Sequence, residues 1–172
     1  MLKFLGNLMI LGSAISMGLL MAASYRRRYH LLLDLRTALA FLEEEMLTLS
    51  RPLPEALQGT GERMDSEVRE LFFTAAGGMQ SKAGISFFRA WKRSLYETES
   101  LFLLRSGERR VLLKLGQSLG QGDKDHQRRA FKNLQLRMEQ LEREARDQMD
   151  RYSKIWHYGG LLIGLMLVLI LY

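Results

Sequence analysis

The sequence predicts an all-α protein: a cytoplasmic helical bundle of about six helices, flanked by an N-terminal and a C-terminal transmembrane helix. Three observations predict it. Apolar residues recur at steps of three and four through the middle of the chain, and no stretch alternates with period two over a useful length. Only two prolines occur in 172 residues, both within "RPLPEAL" at 51–57. The two ends are apolar where the middle is densely charged.

The first element is residues 2–24, "LKFLGNLMILGSAISMGLLMAAS". Lys3 is its only charge, placed where its stem can snorkel to headgroups. The stretch is long enough for a hydrocarbon core of about 30 Å. Arg26, Arg27 and Arg28 follow it, and Arg151 and Lys154 precede the C-terminal apolar segment. The positive-inside rule then places 25–154 in the cytoplasm, with both termini outward. A cleavable leader is the rival reading, because "AAS" before Tyr25 resembles a cleavage site. Against it, the apolar stretch is too long and the basic cluster lies on the wrong side.

The middle reads as helical seams separated by breakers. Leu32, Leu35, Leu39, Leu42, Met46 and Leu49 mark one buried face, continuous with the first span. Met64, Val68, Leu71, Phe72, Ala75 and Met79 mark a second, and Phe88, Trp91, Leu95 and Phe102 a third, broken near Thr98. Leu112, Leu115 and Leu119 mark another, with Ser106 as N-cap and Glu108 near the helix dipole. The breakers are "RPLPEAL", "GTG" at 59–61, "GGMQSKAG" at 77–84 and "GQGD" at 120–123. Pro52, Leu53, Glu55 and Leu57 are expected to form an interhelix turn.

Phe131, Leu134, Met138, Leu141, Ala145, Met149 and Tyr152 mark a long final helix. On its outer face Glu139 precedes Arg143, Glu142 precedes Arg146, Asp147 precedes Arg151 and Asp150 precedes Lys154, each by four. Such pairs add about 0.2–0.5 kcal/mol each to a solvated helix. With these arginines paired and no aromatic residues between them, the net charge of +6 gives little case for nucleic acid. The helix runs into residues 155–172, "IWHYGGLLIGLMLVLILY", which span about 27 Å at the usual helical rise. Trp156 and Tyr158 suit one interfacial belt and Tyr172 the other.

Both apolar segments carry small residues at four-residue spacing. Ala14, Gly18 and Ala22 form one stripe, Gly12 and Ser16 another, and Gly160 and Gly164 a GxxxG. Such stripes let helix backbones approach closely in lipid.

No constellation for catalysis emerges. The chain has no cysteine, and His30, His126 and His157 are too scattered for a metal site. The glycines of "LGQSLGQGDKDHQ" at 115–127 lack the following Lys-Ser or Lys-Thr, and the preceding strand, of a phosphate-binding loop. Neither a cofactor nor a small-molecule substrate is expected. A helix hairpin fits these residues instead. Gly116 and Gly120 share one face, at about 1 kcal/mol each relative to Ala, tolerable where a neighbouring backbone packs on that face. Gly122 ends the helix, Asp123 caps the next, and Gln127 lies in reach of a bond across the turn.

Leu115-Gly116, Leu119-Gly120, Asp123 and Gln127 make an LG-x-x-LG-x-x-D-x-x-x-Q pattern that resembles the stage III sporulation protein AB family. "RPLPEAL" is similar to that family's Pro-Leu-x-Glu-Ala-Leu element, and both apolar ends match in order, so the resemblance covers essentially the whole chain. It departs at Arg51, where the family favours a small hydroxyl residue, and at "KIWHY", where it favours Lys-Met or Lys-Tyr. The resemblance implies a soluble part similar to the cytoplasmic helical domain of type II secretion and type IV pilus inner-membrane platform proteins. It implies a secretion-type ATPase and other channel membrane proteins as partners, in a complex joining mother cell to forespore.

The reading is a non-enzymatic membrane platform organised as 1–24, 25–154 and 155–172, its middle on the cytoplasmic, mother-cell side of the bilayer. The alternative is a membrane-tethered adaptor that binds a soluble partner without transmitting force.

Overall fold

A computed structural model describes residues 2–65, 67–81, 85–98, 102, 104–119 and 124–171. The side chains at 2–8, 10, 11, 14, 153, 154, 157, 158, 160, 161, 163–165 and 167–171 lie outside that description. The described residues form six α-helices and no strand: α1 Leu2–Glu43, α2 Leu53–Glu62, α3 Glu67–Gln80, α4 Phe87–Glu97, α5 Ser106–Leu119 and α6 Lys124–Leu171. A five-residue π-helical turn, Glu44–Thr48, follows α1. The chain divides into two compact units, residues 30–142 and residues 1–29 with 143–172.

In the first unit, the α1 seam is buried as its spacing predicts. Leu32, Leu35, Leu39 and Leu42 are fully buried and Met46 nearly so. Leu49 departs from the expectation, at 47% exposed. The π turn is the reason. Leu49 N–H bonds the Glu44 carbonyl five residues back, at 3.0 Å, which adds one residue to the turn and rotates Leu49 off the buried face. The same turn brings the Glu45 carboxylate inside. Ser50 then reverses the chain at φ 52°, the left-handed region.

"RPLPEAL" opens a helix where a turn was expected. Pro52 is the N-cap residue of α2, and Pro54 lies in the first turn, where a missing N–H breaks no helical bond. "GTG" is interior to α2, against the expectation of a breaker. Gly59 serves a close approach, while Gly61 lies at ordinary contact distance from its neighbours. A Cβ on Gly59 would lie 3.3 Å from Arg51 Nη1 and 3.4 Å from Glu45 Cδ, and one on Gly61 3.5 Å from Phe72 Cβ. Between them Thr60 is fully buried, its hydroxyl donating to the Ala56 carbonyl at 2.8 Å.

In α3, Val68, Leu71, Phe72 and Ala75 are fully buried, Met79 only half so. Gly77 and Gly78 belong to α3, which stops at Gln80. The α4 helix stops at Thr98, as expected, and Phe102 is buried beyond it. Successive helices pack on one another: α2 on α3, α3 on α4, α4 on α5.

The start of α5 differs by one residue from the expectation. Arg105, not Ser106, holds the cap position, its carbonyl accepting from Arg109 N–H at 3.0 Å. Glu108 reaches back to accept from Arg105 N–H at 2.7 Å, half of a capping box. That bond explains how a carboxylate comes to be fully buried there.

On α6, Phe131 and Met138 are fully buried, with Leu134 and Leu141 close behind. Glu142 pairs with Arg36 of α1, at 3.0 Å, and not with Arg146 as the spacing suggested. A tertiary partner displaces the local one.

In the second unit, Tyr25 of α1 stacks on Tyr152 of α6, centroids 5.3 Å apart and planes 16° from parallel. Arg28 Nη1 donates to Gln148 Oε1 at 2.8 Å. Gly18, Ala22 and Ala145 are buried, so one small-residue stripe does face a neighbour. Gly12 and Ser16 are exposed, and the Ser16 hydroxyl donates to the Gly12 carbonyl at 2.8 Å. The side chain of Ala14, and Gly160 and Gly164, lie outside the described side chains. The final seam fades: Met149 is half-buried and Tyr152 is 37% exposed. Asp147 and Arg151 form no ion pair among the described residues. Among those residues no helix is long and apolar enough to cross a membrane.

Candidate functional site

Gly116, the first glycine of "LGQSLGQGDKDHQ", forms one side of a packing seat between α4 and α5. Gly116 is buried on α5, between Leu115 and Leu119, which are also buried. An ideal Cβ on Gly116 would lie 2.7 Å from Trp91 Cδ1 and 3.3 Å from Phe88 Cδ2. The bare face therefore receives an indole ring, not the neighbouring backbone that the spacing suggested. Trp91 Nε1 donates to the Leu112 carbonyl, one turn before Gly116, at 2.7 Å. A helical carbonyl keeps a second lone pair after its own i+4 bond, so the indole adds a bond without breaking the helix.

The ring is gripped on its other sides. Phe72 of α3 meets it edge-on, centroids 5.5 Å apart, and Phe87 lies 5.7 Å away at a tilt. Trp91 is fully buried. Ser94, one turn along α4, is buried with its hydroxyl donating to the Trp91 carbonyl at 2.8 Å. Three helices thus meet on one side chain that the sequence marked only as a seam residue.

On its far side, α5 faces α6 across a cleft of about 320 Å³. Leu115 and Leu134 floor it, and Lys114, Ser118, Asn133 and Arg137 rim it. Gln127 lies half-buried in the first turn of α6. It makes no hydrogen bond among the described residues, so the expected bond across the hairpin is absent there. Gly120, Gly122 and Asp123 lie outside the described residues.

A second cluster surrounds the π turn. Arg51 Nη1 donates to Glu45 Oε2 at 2.8 Å, and Arg63 Nη2 lies 3.0 Å from Glu45 Oε1. The second contact is an ion pair without a hydrogen bond, since Oε1 has no hydrogen-bond partner. Arg63 also pairs with Glu44 at 2.9 Å and stacks over the Phe41 ring at 5.2 Å. Glu45 therefore ties both ends of α2 to the end of α1. Arg51 supplies one of those ties. Of the expected turn residues, Leu57 is fully buried, Leu53 half-buried, and Pro52 and Glu55 exposed.

Nothing in the local sequence singles out Glu45. Its neighbours Glu43 and Glu44 make it look like part of a solvated run, and only the π turn separates it from them. Among the described residues no group of His, Asp or Glu could hold a metal ion.

The fold and its most specific residues define an all-helical bundle protein whose distinctive glycine seats a tryptophan. Comparison with known proteins supplies the particular kind. The sequence profile described as Stage III sporulation protein AB matches residues 3–172. Stage III sporulation protein AB of Bacillus subtilis (strain 168) is 31% identical over 171 residues, covering 99% of each chain. A solved structure of Stage III sporulation protein AB (SpoIIIAB) superposes with a TM-score of 0.67 at 27% identity, covering 72% of this chain and 96% of that one. The chain belongs to the stage III sporulation protein AB family, a family of sporulation proteins.

Proposed function

We propose that the chain is a non-enzymatic membrane platform of a channel between mother cell and forespore, coupling a cytoplasmic secretion-type ATPase to the membrane assembly. One observation carries this reading. Each long helix joins an apolar chain end to a buried seam: α1, Leu2–Glu43, holds the 2–24 segment and the Leu32–Leu42 face, and α6, Lys124–Leu171, holds the Phe131–Leu141 face and the 155–172 segment. A continuous helix transmits tilt or rotation along its axis, whereas a flexible linker does not.

In this reading 2–24 and 155–172 cross the bilayer, and the arginines at 26–28 hold the middle on the cytoplasmic side. The ATPase would act on the 30–142 bundle, with other channel membrane proteins around the spans.

Inserting Gly-Gly after Tyr25 or before Ile155 tests the coupling in a strain that depends on this chain. The insertions should leave the protein in the membrane fraction but lower the yield of heat-resistant spores. Normal spore yield would favour an adaptor that transmits no force. Digestion of 25–154 by protease added to intact spheroplasts would reverse the orientation.

A further inference from the structure

A groove of about 400 Å³ opens between α1 and α6 within the 30–142 unit. Arg36 and Glu43 of α1 form one wall, and Arg128, Lys132, Gln135 and Glu139 the other. The α6 residues step by four, three and four, so they share one helical face. Their charges are not equally engaged. Arg36 is held by Glu142 at 3.0 Å. Arg128 lies in the field of Glu43. Lys132 is exposed and has no ion pair among the described residues. The Gln135 amide Nε2 is shielded from water and has no hydrogen-bond partner.

Among the described residues, the groove thus offers an unengaged cation and, beside it, a covered, unused N–H donor that a turn of the Gln135 side chain brings to the groove surface. Burying a donor without an acceptor is unfavourable, so an incoming acceptor would relieve that cost. Glu43, on the opposite wall, does not fill this role, since the Gln135 amide has no hydrogen-bond partner. At the rim, Leu136 is 53% exposed.

We propose that this groove receives one aspartate or glutamate side chain of a partner protein, with an apolar neighbour of that residue resting on Leu136. A carboxylate is an acceptor with two oxygens and a single charge, which matches one ammonium and one amide. A phosphate brings more charge and would also face Glu43 and Glu139. The proposal does not depend on whether the apolar ends cross a membrane.

The test uses the full chain in nanodiscs and a fluorescein-labelled peptide, Leu-Glu-Glu-Leu-Asp-Glu, read by anisotropy at low salt. Lys132→Glu should weaken binding about tenfold or more. Gln135→Leu, which changes no charge, should also weaken it severalfold, and melting curves establish that both variants fold. Arg110→Glu, an exposed charge change on α5, should leave binding unchanged. An equal loss with Arg110→Glu would mean that net charge alone attracts the peptide and would overturn the proposal. Unaltered binding by Gln135→Leu, or equal competition by inorganic phosphate or a DNA oligonucleotide, would overturn it too.

Discussion

The Trp91 indole N–H bonds the Leu112 carbonyl at 2.7 Å, and its ring lies over Gly116 one turn along the same helix. The two facts are coupled. The indole reaches that carbonyl only because position 116 has no side chain. Ala would normally favour a helix interior by about 1 kcal/mol over Gly. Here its Cβ would sit 2.7 Å from a fully buried ring held on three sides, which cannot swing away. Overpacking of that kind costs about 1–3 kcal/mol and outweighs the propensity gain. Gly116→Ala should therefore lower stability in urea unfolding, and Gly116→Leu should lower it further.

Gly77 provides the opposite expectation. It is exposed on α3, and nothing lies within 4 Å of where its Cβ would be. Gly77→Ala should stabilise by about 0.5–1 kcal/mol. An equal loss at both positions would show that the seat is not what makes Gly116 special.

Trp91→Phe separates ring from bond. It keeps much of the aromatic packing and strands no charge, but removes the donor to Leu112. It should cost about 1–3 kcal/mol, less than the 3–5 kcal/mol expected of Trp91→Ala. Near-ultraviolet circular dichroism during denaturation reports both losses.

The Glu45 cluster predicts coupling across 18 residues of sequence. Glu45 is fully buried while Arg51 and Arg63 are about half exposed, so water takes over part of their solvation when the carboxylate goes. Glu45→Ala should cost about 2 kcal/mol. In a double-mutant cycle, Glu45→Ala and Arg63→Ala should cost less together than the sum of each alone. Strict additivity would mean that the 3.0 Å pair contributes nothing.

Glu43 gives the pH dependence a sign. Its carboxyl pKa is raised above the ordinary 4.5 by burial, against the lowering influence of Arg128. The folded state therefore binds the proton more tightly than the unfolded chain does. Stability from this group is present below pH 4.5 and is lost as pH rises from there through the raised value. Glu43→Gln should flatten that part of the stability curve, and Arg128→Gln should extend it to higher pH.

Five of the six α-helices and most of their buried faces were legible because a 3.6-residue period survives in the sequence wherever a helix buries one side, whereas α2 was hidden behind residues that read as a turn and a breaker. Leu32 to Met46, Val68 to Ala75 and Phe131 to Leu141 all obey it. The glycines were only half legible. Their spacing marked a close approach at Gly116, yet nothing local names Trp91 as the occupant, because the contact is tertiary. At Gly59 and Gly61 the same residue type suggested a breaker, yet both are helical, and at Gly59 only the tertiary neighbours Arg51 and Glu45 explain why the position is bare. The π turn has no residue signature; it is visible only as Leu49 out of place.

The neighbour-on-neighbour packing of α2 through α5 also shapes how the chain folds. Contacts between adjacent helices close loops of a few residues, which costs little entropy and happens fast. The pairing of Arg36 with Glu142 joins positions 106 apart in the chain, a far longer closure. Closures within residues 53–119 are therefore the cheaper ones and the Arg36–Glu142 closure is a costlier one, so a φ-value series is expected to give higher values in α2–α5 than at that pair.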